Sequence, residues 1–320
     1  TAYGYLRHAK SAEAAYAALL AHTRQEQGLQ GSALNTVQQR AIDSSLRFAA
    51  AHPADARTAG VLTNTAEKLY ALHDYERAVT VAQHVLEIGP SLPADMRRTA
   101  WTVIAHTEFD RGAYDRAEIA YQQVLALTDA KAGTRAVLTE RLAASVYKQG
   151  EQARKNDRQR EAVGHFLRVA QLAPAATIRA TAEYDAAAAL IALKAWAAAA
   201  GVLEAFRRSY PKHPLQAEIP GKLAVCYLES GQPSRAAGEF EALAAGGKDV
   251  KFSRAALWQA AELYEKAGNE KNAIAAYERY VKQYPGPLEP AIEARYRLAT
   301  LSKKSGQPAR HLAWTREIVE

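Results

Sequence analysis

The sequence predicts an all-α protein, an α-solenoid of stacked helix–turn–helix units. Three observations carry this: an alanine that recurs along the chain, apolar residues four and seven positions after it, and a proline that closes the segment. Composition agrees. The chain of 320 residues is 48% hydrophobic, with only modest Gly and Pro, and neither alternating apolar and polar residues nor β-branched runs stand out.

The alanines are Ala41, Ala78, Ala117, Ala162, Ala199, Ala236 and Ala273, spaced by 37, 39, 45, 37, 37 and 37 residues. Four positions after them stand Ser45, Ala82, Tyr121, Phe166, Leu203, Phe240 and Tyr277, and seven after stand Phe48, Val85, Val124, Val169, Phe206, Leu243 and Tyr280. Offsets of zero, four and seven fall on one helix face. Pro53, Pro90, Pro174, Pro211 and Pro285 follow at the twelfth position and end that helix, because proline lacks the donor for a further turn. This is the second helix of each unit.

A first helix precedes it. Ala66, Ala105, Ala187, Ala224 and Ala261 recur twelve positions before the alanine, with Leu69, Leu190, Tyr227 and Tyr264 three residues farther on. Gly112, Gly231, Gly268 and Gly306 stand where the first helix must stop in a left-handed residue. Small residues let the two helices approach, and large ones fill the space between units. Neither helix buries its apolar face alone, so neighbouring units share one core. Cys226, the single cysteine, excludes an internal disulfide framework and is read as a core residue.

The segments AWTVIAHTEFDRGAYDRAEIAYQQVLAL (100–127) and ALWQAAELYEKAGNEKNAIAAYERYVKQYP (256–285) resemble full copies of the tetratricopeptide repeat. The resemblance implies a right-handed solenoid in a single continuous stack. Residues 1–58 are read as divergent capping helices, because GLQGS (28–32) breaks the pattern. Residues 59–291 hold six repeats, at about 59–92, 98–131, 136–174, 180–213, 217–250 and 254–287, and 292–320 a partial seventh. The stretches 206–232 and 280–301 further resemble the lengthened repeats of bacterial envelope proteins of the Tol-Pal coordinator and β-barrel-assembly lipoprotein type. That implies a periplasmic or outer-membrane-associated location, with a cytoplasmic one as the alternative.

The formal charge of +7 is spread evenly, +3 over residues 1–160 and +4 over 161–320, which argues against a nucleic-acid partner. No apolar run is long enough to span a membrane. The chain begins at Thr1 without methionine, which reads as a processed protein or part of a longer one. No phosphate-binding glycine loop, nucleophile elbow or H-E-x-x-H helix is present, so no catalytic residue, metal ligand or cofactor is expected and the chain is read as a non-enzyme. Acid pairs such as Asp74/Glu76 and Asp115/Glu118 flank helix starts, where the helix dipole favours carboxylates.

Binding is the better expectation, because a stack of helix pairs lines a concave surface with its first helices. Counting back from the alanines places Glu67, His106, Tyr184 and Trp258 on that surface, and the register from Gly306 adds Tyr296 with Arg297 beside it. Exposed aromatics suit a peptide or extended protein segment. The competing expectation is that these rings pack between repeats. In tetratricopeptide domains that capture chaperone tails, Lys and Asn form a carboxylate clamp; the corresponding positions here carry Thr63, Glu67, Val103, Thr181 and Asp185, so that role is set aside. A scaffold or adaptor for a partner protein is therefore expected. The alternatives are a polysaccharide-binding accessory that stacks sugars on the same rings, and the docking arm of a larger enzyme.

One segment, YKQGEQARKNDRQREAV (147–163), departs from the period by six inserted residues. The first helix is expected to run through Gly150 to about Lys155, roughly 9 Å beyond its neighbours, with Asn156 and Asp157 in the turn. Arg154, Lys155, Arg158 and Arg160 then form a candidate docking ridge, although Glu151, Asp157 and Glu161 leave the stretch at only +2.

Overall fold

In a computed structural model, which describes residues 8–319, the chain folds into sixteen α-helices joined as consecutive pairs. The pairs are α1 (Ser11–Glu26) with α2 (Gly31–Ala51), α3 (Thr58–Ala71) with α4 (Tyr75–Glu87), α5 (Ala94–Asp110) with α6 (Tyr114–Ala126), and α7 (Thr134–Lys155) with α8 (Gln159–Leu172). They continue with α9 (Arg179–Ala192) and α10 (Trp196–Ser209), α11 (Ile219–Glu229) and α12 (Pro233–Gly246), α13 (Val250–Lys266) and α14 (Glu270–Gln283), and α15 (Leu288–Lys304) and α16 (Pro308–Val319). The helices divide between two compact units. One comprises residues up to Gln152 with Arg168–Arg179, and the other Ala153–Leu167 with Ala180 onward.

The recurring alanines are the contact points of the pairs. Ala78, Ala117, Ala162, Ala199, Ala236 and Ala273 are fully buried. Around them the fully buried rings Phe48, Tyr121, Phe166, Phe206 and Tyr277 fill the space that the missing side-chain volume opens. His311 stands where the next alanine would fall in the register of Gly306, and α16 buries no residue completely. Cys226 is fully buried in the core of the second unit.

Each turn inside a pair, from α3 onward, uses one residue of positive φ. Gly112, Gly231, Gly268 and Gly306 fill this place as the sequence predicts, and His73, Asp157 and Lys194 fill it elsewhere at φ 57–58°. The following amide reaches back five residues to the helix, as in Asp74 N to Leu69 O, Arg158 N to Ala153 O and Asn269 N to Tyr264 O, all between 2.8 and 2.9 Å. This closes two otherwise orphaned carbonyls per turn. A side chain with a Cβ in the left-handed region costs about 1 kcal/mol or more. Lys194→Gly should therefore raise stability by about 1 kcal/mol, read as a shift in urea midpoint at unchanged slope.

The inserted segment lengthens α7 to 22 residues, ending at Lys155. Asp157, at φ 57°, takes the left-handed place. The added turn is not a bare protrusion. Gly150 and Ala153 are buried, and Arg154 reaches α9, with Nη1 3.1 Å from Asp185 Oδ1 and its guanidinium 5.4 Å from the centre of the Phe166 ring. Sequence spacing gives the length of a helix but not which neighbour its last turn meets.

Neighbouring pairs in the second unit are also tied by buried tyrosines. Tyr227 Oη on α11 donates to Glu204 Oε1 on α10 at 2.6 Å, and Arg235 Nη2 reaches the same oxygen at 2.6 Å while its guanidinium covers the ring. Tyr264 Oη on α13 donates to Glu241 Oε2 on α12 at 2.9 Å. Hydrogen bonds to a charged acceptor are the stronger kind, and here they fix one pair against the next.

Candidate binding groove

In the second unit a groove of about 890 Å³ opens between α13 and α15, lined by Arg254, Trp258, Tyr280, Leu288, Ile292 and Glu293 among others. Trp258 is half-buried and forms its inner wall. The indole lies edge-on to Tyr277 and Tyr280, with centroids 5.5 and 5.1 Å away. That tilted geometry adds aromatic attraction to area burial and fixes the ring.

The outer wall is α15. Its helix carries two apolar stripes. Ala291, Ala294, Leu298 and Leu301 face the core, while Leu288, Ile292 and Tyr296, four residues apart, are 70%, 36% and 58% exposed. A spacing of four keeps them on one side of the helix. Exposed apolar residues scattered singly are ordinary, but three in line beside a tryptophan-walled groove form a surface that gains by being covered.

The other expected site residues fall in separate places. Arg297 is committed within the fold: Nε donates to Glu293 Oε1 at 2.8 Å and Nη1 lies 3.4 Å from Glu265 Oε1. Tyr184 lies outside the groove, half-buried, its ring 5.9 Å from that of Phe206, its hydroxyl bonded to Glu218 and the Lys222 ammonium 5.2 Å above it. Burial and the nearby Glu218 carboxylate hold the Tyr184 hydroxyl in its neutral form, well above its ordinary pKa. Tyr184 and Trp258 thus pack against the second helix of their own pair.

On the candidate ridge, Arg154 is tied to Asp185 and Arg158 pairs with Glu161 at 2.9 Å, while Lys155 and Arg160 are exposed. The four cations do not converge on a common point that the structure defines.

In the first unit, Glu67 and His106 line a smaller cavity of about 300 Å³ with Tyr70, Arg98 and Thr102. Glu67 is exposed. His106 is half-buried between the rings of Tyr70 and Tyr121, at 5.8 and 5.7 Å, and Tyr70 Oη donates to Asp110 Oδ2 at 3.0 Å. Burial, then the positive charge of Arg141, pushes the His106 pKa below its ordinary value. The folded state therefore disfavours the imidazolium. The stability this group contributes is complete above about pH 6.5 and is lost as pH falls below that. His106→Phe should flatten the difference in unfolding free energy between neutral and acidic solution relative to the unmodified chain, measured by urea titration at each pH.

Leu288, Ile292 and Arg254 are the groove residues that periodicity does not single out. The signal was present, as a second apolar stripe on α15 at spacing four, but the repeat register ranks positions by analogy between units, and no other unit has this stripe.

With this geometry in place, the class of the chain follows. Residues 255–287, which are most of α13, α14 and the segment after them, match the family model of the tetratricopeptide repeat. Residues 255–287 thus form one repeat of that kind, and the other helix pairs of the chain repeat its alanine contact and its left-handed turn. No curated protein matches it by sequence. Solved structures similar to it include YrrB, described as a tetratricopeptide repeat protein with an unusual peptide-binding site, at 16% identity over 66% of this chain and 96% of that one, with a TM-score of 0.33. Others are PilF of Pseudomonas aeruginosa, at 18% over 72% and 94% with 0.30, and the tetratricopeptide repeat domain of P58(IPK), at 16% over 94% and 83% with 0.31.

Proposed function

We propose that this protein is a non-enzymatic interaction scaffold, which holds an apolar segment of a partner protein in the groove between α13 and α15. The observation that carries the reading is the line of Leu288, Ile292 and Tyr296 beside Trp258, exposed on a helix whose opposite face is fully packed. One wall is a tryptophan held by two tyrosine rings and the other is a helix, so little ordering is needed on binding and apolar burial converts to affinity with small entropic loss. Arg254 at the rim, together with Glu289, sets the polar ends of the segment that fits.

Residues 206–232 and 280–301 support placing this scaffold in a bacterial envelope assembly, through their likeness to the lengthened repeats of such proteins. Among the described residues no helix is long and apolar enough to cross a membrane, so membrane association would run through a partner or a segment elsewhere. Fractionation of the producing cells tests the location: recovery with the periplasm or outer membrane is expected, and recovery with the cytosol alone would contradict it. Affinity capture tests the groove. Proteins that co-purify with the unmodified chain and are lost with a Leu288→Asp, Ile292→Asp variant of unchanged thermal stability are expected; retention of every partner would remove the groove from the reading.

A further inference from the structure

Three glutamates are buried among the described residues, Glu108, Glu118 and Glu239, and they are not equally provided for. A carboxylate taken out of water needs hydrogen-bond donors to offset its lost hydration. Glu239 accepts two bonds from Arg207 Nη1, at 2.9 and 2.8 Å. Glu118 is bonded to Arg168, to Gln149 at 2.7 Å and to Gln122 at 3.3 Å. Glu108, on α5, is 3% exposed, and its Oε2 is sealed from solvent with no donor. The nearest counter-charge is Arg116 Nη2 at 3.4 Å, outside hydrogen-bond geometry and on a side chain that is 60% exposed.

Glu108 faces a cavity of about 410 Å³ between α4, α5 and α6, lined also by Glu76, Trp101, Arg111, Arg116 and Ile119. It shares no residue with the cavity at Glu67 and His106, which uses the other side of α5. It is also remote in kind from the apolar groove of the second unit, and the inference does not depend on that groove.

We propose that this cavity receives a single guanidinium or ammonium group, presented on a side chain of a partner protein. The cation supplies the donor that Glu108 Oε2 lacks. Glu76, which forms no ion pair among the described residues, adds a second carboxylate, and the Trp101 indole lines the same cavity, where an aromatic ring can attract a cation. Ile119, 57% exposed, covers the aliphatic stem of an entering arginine or lysine. Arg116 occupies the approach from outside and swings into solvent when the guest enters. Arg111 and Arg116 balance the two acids, so a guest with several positive charges meets repulsion that a single one escapes.

The test is an NMR titration of the full chain with N-acetyl-arginine N-methylamide, following the indole N–H resonance that Trp101→Phe removes. A saturable shift with a Kd near 1 mM is expected, the scale of one isolated side-chain contact. Glu108→Gln, which keeps the shape and removes the charge, should weaken binding about tenfold or more, and Arg116→Ala should tighten it by removing the competing cation. The absence of a saturable shift in the unmodified chain, equal affinity in Glu108→Gln, or weaker binding in Arg116→Ala would each overturn the proposal. Spermidine separates the two sources of such a cation: weaker binding than the arginine probe is expected, and tighter binding would overturn the assignment to a singly charged side chain.

Discussion

Phe206→Ala should lower the unfolding free energy by about 3–5 kcal/mol, the range for deleting a fully buried aromatic ring. Phe206 is 0% exposed on α10, seven residues after the contact alanine Ala199. Its ring meets those of Tyr184, Tyr210 and His213, with centroids 5.9, 5.0 and 5.4 Å away. Removing it withdraws a shared partner from three rings and leaves a cavity in a packed core. Total stabilities are about 5–15 kcal/mol, so the variant approaches the margin of folding. Because repeat arrays are stabilised by nearest-neighbour contacts, hydrogen exchange should show protection lost first in α9–α11 and retained in the pairs of the first unit. A loss below about 1 kcal/mol would contradict the role of this offset as the core position of each unit.

The combined Leu288→Asp and Ile292→Asp variant should weaken capture of a groove partner by about a hundredfold or more. Burying one such side chain is worth about 1.5–3 kcal/mol, and both are lost here, with carboxylates left to be desolvated in their place. The fold should be spared. Both positions are exposed and lie in the first turns of α15, where an acid is favoured by the helix dipole. Calorimetric titration of the identified partner, with thermal unfolding of the variant alongside, checks both halves. A parallel fall in stability and affinity would mean that the stripe supports the fold instead of the partner.

The helix pairs were legible because their determinants are local and recur. An alanine recurring at a spacing of 37 to 45 residues, a large apolar residue seven positions later and a left-handed residue in the turn each act within one unit, so comparison of units exposes them. The six-residue insertion was legible for the same reason, since it changes a count, and α7 ends at Lys155 with Asp157 in the turn. Arg154 was not, because its partners Asp185 and Phe166 come from other helices. Tyr184 and Arg297 show the same limit: the register places them on first helices, but Glu218, Glu265 and Glu293 decide what their polar ends do. Glu118 reads in sequence as an acid near a helix start, yet it is buried and held by Arg168 from fifty residues away. Leu288 and Ile292 escaped because their importance is a break from the repeat pattern, and a pattern points to its own members first.

The central claim is that partner recognition runs through the α13–α15 groove. Its most direct measurement places a photoreactive benzoylphenylalanine at Ile292 in the full chain, with a second at the exposed Val137 of the first unit as the control position, and crosslinks in the producing cells. One dominant adduct at position 292, lost when Leu288 is changed to Asp, is the expected result. No adduct at 292, or the same adduct at 137 and 292 irrespective of Leu288, would contradict it.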